Sequence, residues 1–236
     1  MERRSSLPIF CDPKWKFSAG SLPIELYASK PLSELKKTHP LLLIGGVHGD
    51  EPEGVELAKK TLLWLKSESY QKHKGSKPSW ILIPCINPDG FSSNQRTNSQ
   101  GIDLNRNFPT QNWSAEFSKD RYYPGTKPLE SPEVQALVEL IEEHSPPVIV
   151  HFHSWEPCIV VTGPENHPFG KALSECSGYP LKSDIGYPTP GSLGCFGWKE
   201  KSIPVICVEE QEHSDLSKVW DHFAEGIKEM LLTPIA

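Results

Sequence analysis

His48 and Glu51 stand three residues apart in the stretch LLLIGGVHGDEPEG, residues 41–54. An imidazole and a carboxylate at that spacing on one turn can face the same metal ion, and such pairs form half of many catalytic zinc sites. A distant third ligand and a water complete those sites. A surface turn with a helix-capping acid would present the same two residues, so the reading depends on what else the chain brings nearby. Two other stretches offer reactive groups: His151-Phe152-His153-Ser154 after an apolar run, and Glu209-Glu210 after Val205-Ile206-Cys207-Val208. Alternate side chains of a strand share a face, so His151 and His153 point the same way and only one need be a ligand. A His-Glu-His set leaves one coordination position open, the pattern of a hydrolytic zinc.

These residues need elements to hold them. The apolar run Leu41–Val47 predicts a buried central strand, and Pro52 suits the first turn of a helix running from Val55 to Leu65. Leu22–Tyr27 alternates loosely and predicts an edge strand. Trp80–Ile86 is a further strand, stopped by the turn-forming Asn87-Pro88-Asp89-Gly90. Residues 91–130 are polar and aromatic with little regular pattern, and long irregular segments inside a domain usually carry function. Ser131-Pro132-Glu133 opens a helix with Val134, Leu137, Val138 and Ile141 on one face. A strand from Pro147 to His153, a helix over Pro168–Cys176 and a strand over Ile203–Val208 follow. Ser214 is expected to cap a last helix carrying Leu216, Val219, Trp220, Phe223 and Met230. This alternation predicts an α/β domain with a helix-covered, mostly parallel or mixed sheet. In such sheets chemistry collects at the carboxyl ends of strands, which is where His48, Glu51, the two strand histidines and the glutamate pair fall.

At 236 residues and 37% hydrophobic, the chain can bury one substantial core, and no linker divides it, so a single domain over residues 1–236 is expected. A net charge of −6 argues against nucleic acid or an anionic membrane as the main partner. The six cysteines form no CxxC pair, which removes zinc-ribbon and redox motifs. No apolar stretch follows Met1-Glu2-Arg3-Arg4 before Pro8, and no apolar run approaches a membrane span, so a cytoplasmic protein is expected.

Taken in order, HGDE, NPDG, GIDLNRNFP, HFHS and VICVEE resemble the zinc carboxypeptidase family (peptidase family M14) across Leu41 to Glu210. The segment RYYPGTKPLESPE, residues 121–133, is similar to a bacterial branch of that family, the murein peptide amidases, which act on peptidoglycan peptides. The resemblance implies a three-layer α/β/α fold around a mixed, largely parallel sheet. It implies one Zn2+ held by His48, Glu51 and His153, with His151 the fallback. The family's Asn-Arg pair, which holds the substrate's terminal carboxylate, falls on Asn105-Arg106, and a guanidinium fork suits that work. A second arginine that polarises the scissile carbonyl falls on Arg96, which without the family context would read as a solvated loop cation. The family's catalytic base falls on Glu209, taking a proton from zinc-activated water and passing one to the leaving amine. Glu210 faces the other way in a regular strand.

Two departures limit the transfer. Digestive members carry a mobile tyrosine beside a Gly-Ser segment, and Gly191–Trp198 holds none. The chain is also shorter, without a counterpart for the loops that shape the digestive side-chain pocket. For the bacterial branch the implied reaction cleaves the γ-D-glutamyl–meso-diaminopimelate amide of L-Ala-γ-D-Glu-meso-Dap, a small peptidoglycan-derived substrate. The alternatives are a carboxypeptidase on other short peptides, a zinc N-acyl amino acid deacylase of the aspartoacylase type, and a non-catalytic peptidoglycan-binding protein.

Overall fold

Strand Leu41–Ile44 and strand Trp80–Ile83 are buried along their whole length, as strands covered by helices on both faces must be. They lie inside one mixed sheet in the computed structural model of the chain, which describes residues 9–234. Its strands are β1 (Phe10–Phe17), β2 (Pro23–Ala28), β3 (Leu41–Ile44), β4 (Trp80–Ile83), β5 (Ile149–Trp155), β6 (Cys158–Thr162), β7 (Leu181–Lys182) and β8 (Val205–Gln211). The spatial order is β1-β2-β4-β3-β5-β8-β6-β7. The centre, β4-β3-β5-β8, is parallel, while β1, β2 and β6 join antiparallel to their inner neighbours.

The helices are α1 (Leu32–Leu35), α2 (Pro52–Lys66), α3 (Glu68–Gln71), α4 (Pro88–Ser93), α5 (Pro132–His144), α6 (Pro168–Ser177), α7 (Leu193–Cys195) and α8 (Val219–Leu232). Strand alternation divides the core in two. Leu41, Leu43, Val150 and Ile206 pack with Leu57 of α2, Leu173 of α6 and Phe223 of α8. Leu42, Ile44, Ile149 and Val205 pack on the other face with Val134 and Leu137 of α5. The architecture is thus the expected α/β/α arrangement. No helix among the described residues is long and apolar enough to cross a membrane. Met1-Glu2-Arg3-Arg4, on which the leader reading rested, lies outside the described residues.

Several local expectations change. The segment at Leu22–Tyr27 is not an edge, because β1 pairs outside it, with Cys11 opposite Tyr27. β1 holds Pro13 and a register shift between Asp12 and Lys16, which hides its period in the sequence. Strands β3 and β4 end at Ile44 and Ile83, short of the expected Val47 and Ile86, although Gly45 N still donates to Ile83 O at 2.9 Å and Ile86 N to Gly45 O at 3.0 Å. Asn87-Pro88-Asp89-Gly90 is the start of α4 instead of a free turn: Asn87 Oδ1 accepts from Gly90 N at 2.9 Å, with Pro88 in the first helical turn. Ser214 does not cap α8, which begins only after Lys218; Ser214 N donates to Gln211 O in a turn, and Leu216 is left outside the helix. The short strand CIVVT of β6 had gone unread between two loops.

Candidate active site

The turn after β3 is held by contacts that only small residues permit. A Cβ on Gly49 would lie 1.9 Å from the carbonyl carbon of Gly90, so the HGDE turn and the start of α4 touch backbone to backbone. Asn87 ties the same region together, donating from Nδ2 to Val47 O at 3.4 Å and to Arg96 O at 3.3 Å. Glu51 precedes α2 but makes no side-chain cap bond there, which leaves its carboxylate to face the sheet. A Cβ on Gly54 would come within 2.3 Å of Phe152 O, so α2 lies directly on β5 and brings Glu51 to the histidines.

Three buried donors converge there. His48 Nδ1 lies 2.7 Å from Glu51 Oε1, and His153 Nδ1 lies 2.7 Å from Glu51 Oε2. The two Nδ1 atoms are 3.0 Å apart. The other nitrogen of each ring faces a neighbour: His153 Nε2 meets His151 Nδ1 at 2.7 Å, and His48 Nε2 makes an ion-pair approach of 3.2 Å to Asp103 Oδ1. Each Nδ1 is therefore the atom left to ligate, the outer-shell arrangement seen around metal-bound histidines. His48, Glu51 and His153 each offer a ligand atom within 4.8 Å of the others. Two imidazole nitrogens and a carboxylate oxygen suit a zinc ion. His151, His153 and Cys207 also cluster. That trio fits a cation less well: its histidines already contact each other, and burial followed by the Glu209 charge keeps the Cys207 thiol well above its ordinary range.

The electrostatics centre on Asp103 and Arg96. Arg96 donates from Nε to Asp103 Oδ2 at 2.9 Å and from Nη1 to Glu51 Oε1 at 3.3 Å. Burial alone would raise the Asp103 carboxyl, but Arg96 and then His48 outweigh it and hold it well below the usual carboxylate range. Burial likewise opposes ionisation of Glu51, and His48 and His153 outweigh it. Asp103 lies within GIDLNRNFP, and its place as the bridge between His48 and Arg96 arises only in three dimensions.

Glu209 sits opposite His153 on β8. Its Oε1 accepts from Cys207 Sγ at 3.2 Å, while its buried Oε2 has no protein partner among the described residues. Burial, followed by the negative charge of Glu51, pushes its carboxyl up to about 8. Glu210 faces the opposite way, bonded to Tyr179 Oη and to His222 Nδ1.

His48, Glu51, Arg96 and Glu209 line one cavity of about 360 Å³, together with Asn105, Arg106, Arg121, Tyr122 and Tyr187. Asn105 and Arg106 lie on a short helical turn whose fold is set by Asp103 Oδ1 accepting from Asn105 N. Tyr187, with its ring against Trp155 at 5.8 Å, stands upstream of Gly191–Trp198, the segment in which no tyrosine was found. A search of the residues just before Gly191 would have reached it.

Several known proteins are similar to this chain in sequence or fold. Murein peptide amidase A of Escherichia coli (strain K12) is 35% identical over 164 residues, covering 65% of this chain and 64% of that protein. The chain thus spans a little under two thirds of that relative's length. The Vibrio campbellii (strain ATCC BAA-1116) protein of the same name is 34% identical over 179 residues, covering 71% of this chain and 68% of its own. The crystal structure of murein-tripeptide amidase MpaA from Escherichia coli O157 superposes with a TM-score of 0.75 at 26% identity, over 100% of this chain and 98% of the other. Carboxypeptidase A from Helicoverpa armigera shares the fold, with a TM-score of 0.75 at 16% identity over 93% of this chain and 67% of that one. A family profile described as zinc carboxypeptidase matches residues 24–229, and this chain belongs to that family.

Proposed function

We propose that this chain is a zinc-dependent amidase that hydrolyses the γ-D-glutamyl–meso-diaminopimelate amide of L-Ala-γ-D-Glu-meso-Dap. The observation that carries the reading is the approach of His48, Glu51 and His153 to a single point beside Glu209, in the cavity that also holds Arg106. The substrate is supported by the names of the relatives with similar sequence and structure. Recycling of such peptides in the cytoplasm is the setting that this substrate fits.

His48, Glu51 and His153 would hold the zinc ion, which when bound would supply Lewis acidity and lower the pKa of water. Glu209 accepts the water's proton and returns one to the leaving amine. Its unpartnered Oε2 and raised pKa make it a base able to work near neutral pH. Arg96, anchored on Asp103, presents its remaining donors to the carbonyl oxygen as charge develops there. Arg106 spends Nη1 on Asn105 O at 2.7 Å, and Asn105 Oδ1 accepts from Leu193 N at 2.8 Å. Those bonds fix both side chains while leaving the rest of the guanidinium fork and the Asn105 amide donors for a substrate carboxylate. Tyr187, which lines the cavity, is the tyrosine placed to contact a substrate there, the role for which Gly191–Trp198 has none.

The test is a mass-spectrometric digest of L-Ala-γ-D-Glu-meso-Dap with zinc-loaded and chelator-stripped protein. Metal-dependent release of diaminopimelate is expected. No release from protein that binds zinc stoichiometrically would move the substrate to other short peptides or N-acyl amino acids. Absence of both zinc and release would overturn the reading.

A further inference from the structure

We propose that Arg121 reads a second carboxylate, on the acyl side of the scissile amide, and so selects an acidic acyl residue over a neutral one. This inference rests on the proposed function. Three guanidinium groups surround the Tyr122 ring: Arg96 at 5.2 Å, Arg121 at 5.6 Å and Arg106 at 5.7 Å from its centroid. Two have tasks already, Arg96 at the carbonyl and Arg106 at the terminal carboxylate of the leaving amine. Arg121 has none. Its side chain is half exposed and lines the same cavity.

One partner orients it. Arg121 donates from Nη2 to Asp50 Oδ2 at 3.1 Å, and Asp50 directly precedes the metal ligand Glu51. That bond sets Arg121 on the Glu51 side of the cavity and leaves its Nε and Nη1 donors for a ligand. Arg121 also borders a separate depression lined by Asp50, Phe117 and Tyr123. A peptide whose leaving amine is held by Asn105 and Arg106 would run its acyl chain outward along this depression.

The chemistry of a γ-glutamyl amide supplies the missing anion. Its acyl residue keeps a free α-carboxylate, separated from the scissile carbonyl by three carbons, or four C–C bonds of ~1.5 Å each. A carbonyl on Arg96 therefore places that carboxylate within reach of the neighbouring guanidinium. An α-linked glutamyl residue keeps its side-chain carboxylate at the same bond separation, so the contact reads the acyl residue's charge and not its linkage; an acyl residue without that carboxylate offers Arg121 no charge.

The test compares L-Ala-γ-D-Glu-meso-Dap with the same peptide carrying an α-carboxamide on its glutamyl residue, a change of one charge. Wild-type protein should prefer the free acid in kcat/KM. In Arg121→Met that preference should shrink by about 10- to 100-fold, the loss of a charge-assisted contact, and Arg121→Lys should fall between. Zinc content and thermal melting confirm that the variants fold. A preference unchanged by Arg121→Met overturns the inference while leaving the proposed function intact. If wild-type protein cleaves neither peptide, the proposed function fails. Calorimetric binding of the two peptides to Glu209→Gln protein then decides the role of Arg121 by the same comparison: equal binding of acid and carboxamide overturns it.

Discussion

His153 and Glu209 are direct cross-strand partners on the parallel strands β5 and β8. Their side chains share one face, so the sheet ladder itself sets the proposed metal-ligating ring beside a buried carboxylate. The next pair in the register, Ser154 and Glu210, faces the other way. Ser154 Oγ donates to Glu53 at 2.6 Å and Glu210 holds Tyr179 and His222, both on the face covered by α2, α6 and α8. A slip of one residue in this register would exchange Glu209 for Glu210.

Glu209→Gln is therefore expected to keep zinc at one ion per chain and to lose about 100- to 10,000-fold in kcat, the usual range for removal of a general base. Metal analysis and steady-state kinetics on the same preparation check this. Near-normal kcat would remove Glu209 from the mechanism.

Glu210→Gln should do the reverse. Glu210 is 1% exposed and accepts from Tyr179 Oη, from Gln211 N at 2.7 Å and from His222 at 2.6 Å. Replacing its charge weakens the link from β8 to α8 and should cost about 1–3 kcal/mol of stability in chemical denaturation. Its kcat should stay within a few-fold of wild type, because none of these contacts faces the cavity.

The raised pKa of Glu209 makes stability depend on pH. With its folded value at about 8 against an ordinary 4.5, the protonated form favours folding. That contribution is full below pH 4.5 and is lost as pH rises through about 8. For chelator-stripped protein, Glu209→Gln should then match wild type near pH 4.5. By pH 9 it should be more stable, by on the order of 5 kcal/mol. Denaturant midpoints at the two pH values measure the difference; equal gaps at both would show that Glu209 ionises normally.

What could be read in the sequence was local. His48 and Glu51 are legible because their three-residue spacing and the following proline already fix them on one turn. His151 and His153 were not separable by strand period, since both point the same way. Only the approach of α2 through Gly54 selects His153, by bringing Glu51 to its Nδ1. Asp103 was visible as part of a motif, but its work depends on His48 and Arg96, both distant in sequence. Ser214 has the residue type of a helix cap, but Asp215 takes up Ser217 N and delays α8. Strand β6 was missed because five residues between loops carry too little period to register.

Asp103 gives the sharpest test of the outer shell. Its Oδ1 faces His48 Nε2 and so favours the tautomer that carries its proton there, leaving Nδ1 open for the metal. Its Oδ2 anchors Arg96. An amide at this position can turn its NH2 towards His48, which drives the imidazole proton onto Nδ1 and blocks the ligand atom. Asp103→Asn should therefore lower zinc affinity about 10- to 100-fold in competition with a chromogenic chelator. Added zinc should refill the site without restoring kcat/KM, because Arg96 has lost the partner that aims it at the carbonyl. If affinity stayed within two-fold of wild type, the tautomer argument would fail. If excess zinc restored full kcat/KM, Arg96 would not depend on Asp103 for its position.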